Sequence, residues 1–186
     1  MEVSSLELAG FIFGIIGVWL TIKENIYCFP VGLMNVIISL VLFYEQKLYS
    51  DVIQQGVYII LLAYGWNAWL KGNNRSELLV TRAGYKLLVP ILAASAILTV
   101  SMGMIFSTYT DADVPYIDAA ATSVSFAAQF LIARKKIENW LLWVIVNCTY
   151  ITVYIYKDLW LYAILFTIYL IMAIVGYFKW KKQLIY

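Results

Sequence analysis

Seven stretches of this chain carry no Asp, Glu, Lys or Arg: residues 8–22, 26–44, 52–70, 87–109, 119–133, 140–156 and 159–178. Within them apolar residues follow one another without the strict alternation of a half-buried strand. About 20 helical residues cross the hydrocarbon core of a bilayer, so each run, extended by its flanks, predicts a membrane-spanning helix. A β-barrel would instead show strands of about 10 residues with polar and apolar positions alternating. The first run is preceded by Glu2 and Glu7 rather than by a basic segment, so it reads as a first helix and not as a signal peptide.

The runs are 15, 19, 19, 23, 15, 17 and 20 residues long, so a short, medium, medium triplet recurs on either side of the longest segment. This predicts an all-α integral membrane fold of seven transmembrane helices in a 3+1+3 arrangement: a first triplet in residues 1–70, a linker helix with its loop in 71–110, and a second triplet in 111–186. Sliding one triplet over the other aligns Lys23 with Lys135 and Asn35 with Asn147; after a one-residue gap it aligns Tyr58 with Tyr169, Gly65 with Gly176 and Trp69 with Trp180. One intervening helix makes both triplets enter from the same side, so the repeats are parallel, an architecture that transporters use to rock about a shared central site.

Composition agrees: 63% of residues are hydrophobic, 13% are charged, and the mean hydropathy is +0.82. The basic residues add an orientation. One face receives only Lys47 and Lys157, and the other receives the remaining eleven of the 13 Lys and Arg. Basic loops stay in the cytoplasm, which predicts the N-terminus outside and the C-terminus inside.

The chemistry available is narrow. There is no histidine, and the two cysteines, Cys28 and Cys148, fall within predicted helices, where they read as small packing residues. Haem bis-histidine, zinc peptidase and Ser-His chemistry are thereby set aside, and no phosphate-binding loop appears. No catalytic residue, metal, cofactor or nucleic-acid partner is expected. Charged side chains at membrane depth mark proton relays and ion paths, and the seven runs hold no Asp, Glu, Lys or Arg. Asp111, Asp113 and Asp118 lie together in one loop region, either as a solvated surface or as an entry funnel for cations.

Uncharged amides remain inside the runs: Asn35, Gln54, Gln55, Asn67, Gln129 and Asn147. An amide in hydrocarbon needs hydrogen-bond partners, so each marks either an interhelical bond or a polar cavity. Trp140, Trp143 and Asn147 are spaced i, i+3, i+7 and share one helical face. Two indoles and an amide suit a flat cationic ring, while Trp near a helix end also belongs to the interfacial belt. Gln55 and Tyr58 share a face of the third helix, with Trp66 and Trp69 placed as belt residues. Pro30 with Gly32 in the second helix, and Pro90 in the fourth, could break or hinge their helices.

The segment Lys47-Leu48-Tyr49-Ser50-Asp51, with Gln55, Tyr58 and the run from Tyr64 to Trp69, resembles the PnuC family of vitamin-precursor transporters, and so does the Trp140, Trp143, Asn147 pattern. The resemblance implies a SWEET-like fold, a homotrimer in the bacterial inner membrane, and facilitated diffusion of nicotinamide riboside followed by cytosolic phosphorylation. Thiamine or a related vitamin is the alternative substrate, and a non-transporting membrane scaffold is the alternative of another class. Residue by residue, the resemblance assigns Trp140, Trp143 and Asn147 to the substrate site and matches Gln55 to the family's third-helix glutamine. Gln54, Tyr58, Gln129 and Asn35, the repeat mate of Asn147, join them as candidates. It also suggests that the proline of the second helix, with Gly32, acts as a hinge.

Overall fold

The computed structural model describes residues 5–45, 49–72, 78–110 and 113–184. Lys47 and Leu48 of the motif, the basic residue Arg75 and the acidic Asp111 lie outside the described residues. Seven helices are present among the described residues: α1 Ser5–Ile22, α2 Cys28–Glu45, α3 Tyr49–Lys71, α4 Tyr85–Tyr109, α5 Pro115–Ala133, α6 Glu138–Tyr156 and α7 Trp160–Lys181. Each contains one of the charge-free runs, apart from a residue or two at the start of α2 and α7. All but α3 are long and apolar enough to cross a membrane. With 23 residues α3 has the length, but Asp51, Gln54, Gln55, Asn67 and Lys71 dilute its apolar character. The chain divides into two compact units, Met1–Leu79 and Val80–Tyr186.

In the first unit α2 lies between α1 and α3. Gly17 lets α1 approach closely: a Cβ built there would stand 3.8 Å from the Cα and N of Gly32. Small residues at a helix contact are the usual device for close packing in a membrane. Asn35 locks the same pair by donating from Nδ2 to the Gly10 carbonyl at 2.7 Å. On the other side Gly32 faces Leu62, and Phe29 meets Trp69 edge-on at 5.0 Å and 88°. Pro30 falls in the first turn of α2, where the missing N–H would have no intrahelical partner in any case, and α2 continues unbroken through Pro30 and Gly32.

The second unit is a row in which α4 packs on α5, α5 on α6 and α6 on α7. Hydroxyls join α4 to α5: Thr99 and Ser123 share a hydrogen bond of 2.6 Å, and Ser95 reaches the Ser123 carbonyl at 3.4 Å. Beside them Ala127, Ala128, Leu131 and Leu142 form a buried apolar cluster, against which Leu87, Leu88 and Ile91 of α4 and Trp143 of α6 pack. α4 runs continuously through Pro90.

Residues 80–84 run alongside the α5–α6 turn as a strap. Thr81 and Lys136 form a parallel β-bridge, in which the Thr81 N–H donates to the Lys135 carbonyl and the Ile137 N–H to the Thr81 carbonyl, both at 3.1 Å. The Ala83 N–H donates to a Glu138 carboxylate oxygen at 2.8 Å, and Lys136 Nζ to the Thr81 hydroxyl at 2.8 Å. Burial, aided by Arg134 and opposed by Glu138, holds the Lys136 ammonium below the usual lysine range.

Three helices end in the same way although none ends on glycine. Glu24, Lys135 and Asp158 adopt φ of 55°, 46° and 56°. The N–H that follows each reaches back five residues, Asn25 to Leu20, Lys136 to Leu131 and Leu159 to Tyr154. This is the Schellman bond, which satisfies carbonyls left open at the helix end.

Candidate functional site

On α6 the residues Asn139, Trp140, Trp143, Asn147, Tyr150 and Tyr154 fall within one broad face. They do not share one environment. Trp140 is 2% exposed and meets Trp180 of α7 edge-on at 5.3 Å and 87°. Its ring fills the slot left by Gly176, where a Cβ would come within 2.7 Å of three ring atoms. Its Nε1 is sealed without a hydrogen-bond partner among the described residues, as is Oδ1 of the fully buried Asn139. Trp143 is half-buried, its ring against the α4–α5–α6 cluster. Asn147 is 3% exposed, and its carboxamide makes no hydrogen bond among the described residues. Beyond it, Tyr150 and Tyr154 stack at 5.8 Å and contact Phe166 of α7.

α5 carries a second polar face, of which sequence reasoning singled out only Gln129. Thr122, Ser125 and Gln129 repeat the i, i+3, i+7 spacing, and all three are buried. The signal was that spacing, in a helix whose Ala and Ser content allows close packing on several sides at once.

In the first unit Gln55 is buried and Gln54 half-buried, so of the two neighbours Gln55 turns inward. Tyr58, one turn on, is half-buried. The Nδ2 of Asn35 is spent on the Gly10 carbonyl. Of the acidic residues, Asp113 pairs with Lys157 at 3.8 Å. Cys28 is buried beside Phe29, while Cys148 is exposed. No cluster of three or more potential metal ligands occurs among the described residues.

Long apolar helices make this a multi-pass membrane protein, and comparison with known proteins makes it a transporter rather than an enzyme. Residues 4–182 match the family model described as nicotinamide mononucleotide transporter. The chain belongs to that family, the PnuC family that its motifs resemble, and is a multi-pass protein of the bacterial membrane. It is 25% identical over 205 residues to the nicotinamide riboside transporter PnuC of Escherichia coli (strain K12), covering 96% of this chain and 86% of that protein. It is also 25% identical over 145 residues to the riboflavin/roseoflavin transporter RibM of Streptomyces davaonensis, covering 76% of this chain and 68% of that protein. The crystal structure of the vitamin B3 transporter PnuC superposes with a TM-score of 0.76 at 22% identity, over 96% of this chain and 81% of that one.

Proposed function

We propose that this protein is a facilitative carrier that imports nicotinamide riboside by alternating access, the substrate then being trapped by cytosolic phosphorylation. The observation that carries the reading is the likeness to the Escherichia coli nicotinamide riboside transporter across 96% of the chain. In this reading all seven helices span the membrane as parallel triplets in residues 1–70 and 111–186 joined by a linker in 71–110, with the N-terminus outside, and three copies assemble in the lipid bilayer. Trp69 and Trp180, which align in the two triplets, each meet an aromatic ring of the preceding helix edge-on, Phe29 of α2 and Trp140 of α6, although those two partners stand one position apart in the alignment.

Trp143 stacks on the pyridinium ring, where cation–π attraction favours a flat cation. The unbonded Asn147 amide serves its polar edge; Gln55, Gln54 and Tyr58 of α3 are further candidates that rest on the family resemblance. Trp140, sealed against Trp180, holds the α6–α7 contact beneath the site. Pro30 and Gly32 lie where α2 can flex at its first turn. Riboflavin is the second reading, favoured by the Streptomyces relative.

Proton-coupled carriers use Asp, Glu, His, Lys or Arg at membrane depth, and the seven runs hold none of these. The test is equilibrium binding of nicotinamide riboside, riboflavin and thiamine to purified protein, followed by uptake into proteoliposomes with the membrane potential clamped at zero. Nicotinamide riboside should bind and equilibrate to equal internal and external concentrations whatever the pH or sodium gradient. Sustained accumulation driven by either gradient would refute the uniport mechanism, and an absence of uptake would favour a scaffold.

A further inference from the structure

An open groove of about 270 Å³ runs between α4 and α5, lined by Ile91, Ala94 and Leu98 on one side and by Phe126, Ala127 and Phe130 on the other. Ser95 and Ser123 also line it, but their hydroxyls are engaged. Ser123 shares its hydrogen bond with Thr99, and Ser95 donates to the Ile91 carbonyl at 3.0 Å. The groove therefore presents hydrocarbon, which suits an alkyl chain better than a polar solute.

One end of the groove runs into cations. Arg134 lies one turn beyond Phe130 on the same stripe of α5 and is exposed. The backbone bonds of Thr81 to the α5–α6 turn bring the start of α4 to the same place, and with it the exposed Arg82 and Lys86. Neither of these two makes an ion pair among the described residues. Across the strap, the first turn of α4 and the α5–α6 turn, Arg82, Lys86, Arg134, Lys135 and Lys136 stand against a single carboxylate, Glu138, which accepts from the Ala83 N–H. Burial first, and Arg134 after it, hold the Lys136 ammonium below its usual range; the second contribution is repulsion between cations, which Glu138 opposes more weakly. Tyr85, exposed at the same end, stands where amphipathic rings mark the level of the lipid headgroups.

An apolar groove at membrane depth that ends in cations at headgroup depth has the polarity of a lipid with alkyl chains and a negative head. We infer that the α4–α5 groove and its basic rim bind an anionic phospholipid, one acyl chain lying along Ile91, Ala94 and Phe130 and the phosphate held by Arg134 with Arg82 and Lys86. The proposed orientation puts this rim in the cytoplasmic leaflet, where basic pockets between helices take acidic headgroups. The site is separate from the α6 face and does not depend on what the carrier moves. Its effect is to clamp the start of α4 against the end of α5, supplementing the strap.

The experiment uses the purified full chain and counts bound lipid by native mass spectrometry. Its probes are phosphatidylglycerol, phosphatidylcholine with the same acyl chains, and glycerol 3-phosphate, which has the anion without the chains. Phosphatidylglycerol should bind more tightly than phosphatidylcholine and raise the melting temperature, while glycerol 3-phosphate should neither bind nor compete. Arg134→Gln should weaken phosphatidylglycerol about fivefold, the share of one cation near an anionic surface, and Arg134→Lys should not. Ala94→Trp, which fills the groove from an exposed position, should weaken it by a similar factor. Leu98→Trp is a second way to fill the groove should Ala94→Trp fail to fold. Lys182→Gln, at the end of α7, should leave binding unchanged. Equal weakening by Arg134→Gln and Lys182→Gln would reduce the site to diffuse attraction and overturn the inference. Equal binding of the two lipids, competition by glycerol 3-phosphate, or normal lipid binding with the groove filled would overturn it too. If filling the groove instead splits an oligomer, seen by size exclusion with light scattering, the groove is an interface between copies and the lipid assignment falls. Each of these outcomes leaves the carrier reading untouched.

Discussion

Asn35 and Asn147 align when the two triplets are overlaid, but their hydrogen bonding differs. Part-buried Asn35 donates to the Gly10 carbonyl of α1 at 2.7 Å, whereas Asn147 is more deeply buried and makes no hydrogen bond among the described residues. Truncating them should therefore have opposite consequences. Asn35→Leu leaves the α1–α2 contact without its clasp and should lower stability by about 1 kcal/mol, with affinity unchanged in the protein that folds. Asn147→Leu removes an amide that nothing in the described chain satisfies, so the melting temperature should hold or rise while substrate affinity falls about tenfold. Melting curves and equilibrium binding on the two variants decide the matter; the reverse assignment of effects would remove Asn147 from the site.

At the scale of elements, the strap in residues 80–84 ties the start of α4 to the α5–α6 turn through backbone bonds and the Glu138 carboxylate. Glu138→Ala leaves the Ala83 N–H without its acceptor and Lys136 without its nearby carboxylate. Amide hydrogen exchange at Thr81, Ala83 and Ile137 should then speed up by about tenfold, with little change in global melting. Unchanged exchange at these three amides would mean that the strap stands without Glu138. The helices themselves were legible because an uninterrupted apolar run has few alternatives in a bilayer. Their ends were less so, since Glu24, Lys135 and Asp158 take the left-handed conformation usually reserved for glycine. The strap was illegible for a further reason: its sequence has no alternation, and its single bridge joins residues 55 apart. The candidate site was readable where spacing was distinctive, as in Trp140, Trp143 and Asn147. Thr122 and Ser125 were invisible, because hydroxyls are common in apolar helices and only their burial sets these two apart.

For the whole molecule, the proposed orientation follows from the imbalance of positive charge between the two faces, eleven of 13 basic residues falling on one of them. A reporter that is active only outside the cytoplasm should be silent when fused to the C-terminus, and a cytoplasmic reporter should be active there. The opposite pattern would require an even number of crossings or an inverted chain. The polar α3 bears on this count, because Gln54, Gln55 and Asn67 make it the least apolar of the seven helices while the alternation of loops needs it to cross.

The slot between Trp140 and Gly176 carries an evolutionary consequence. The indole occupies space that exists because residue 176 has no side chain, and a single added methyl would overlap three of its ring atoms. The two positions are therefore heritable only as a pair. A lineage that acquires alanine at 176 must first trade the indole at 140 for a smaller ring, and one that loses the indole opens a void that a larger residue at 176 can fill. Homologues of this protein should accordingly differ at these two sites together, each compensating the volume of the other, even though they stand 36 residues apart in the sequence.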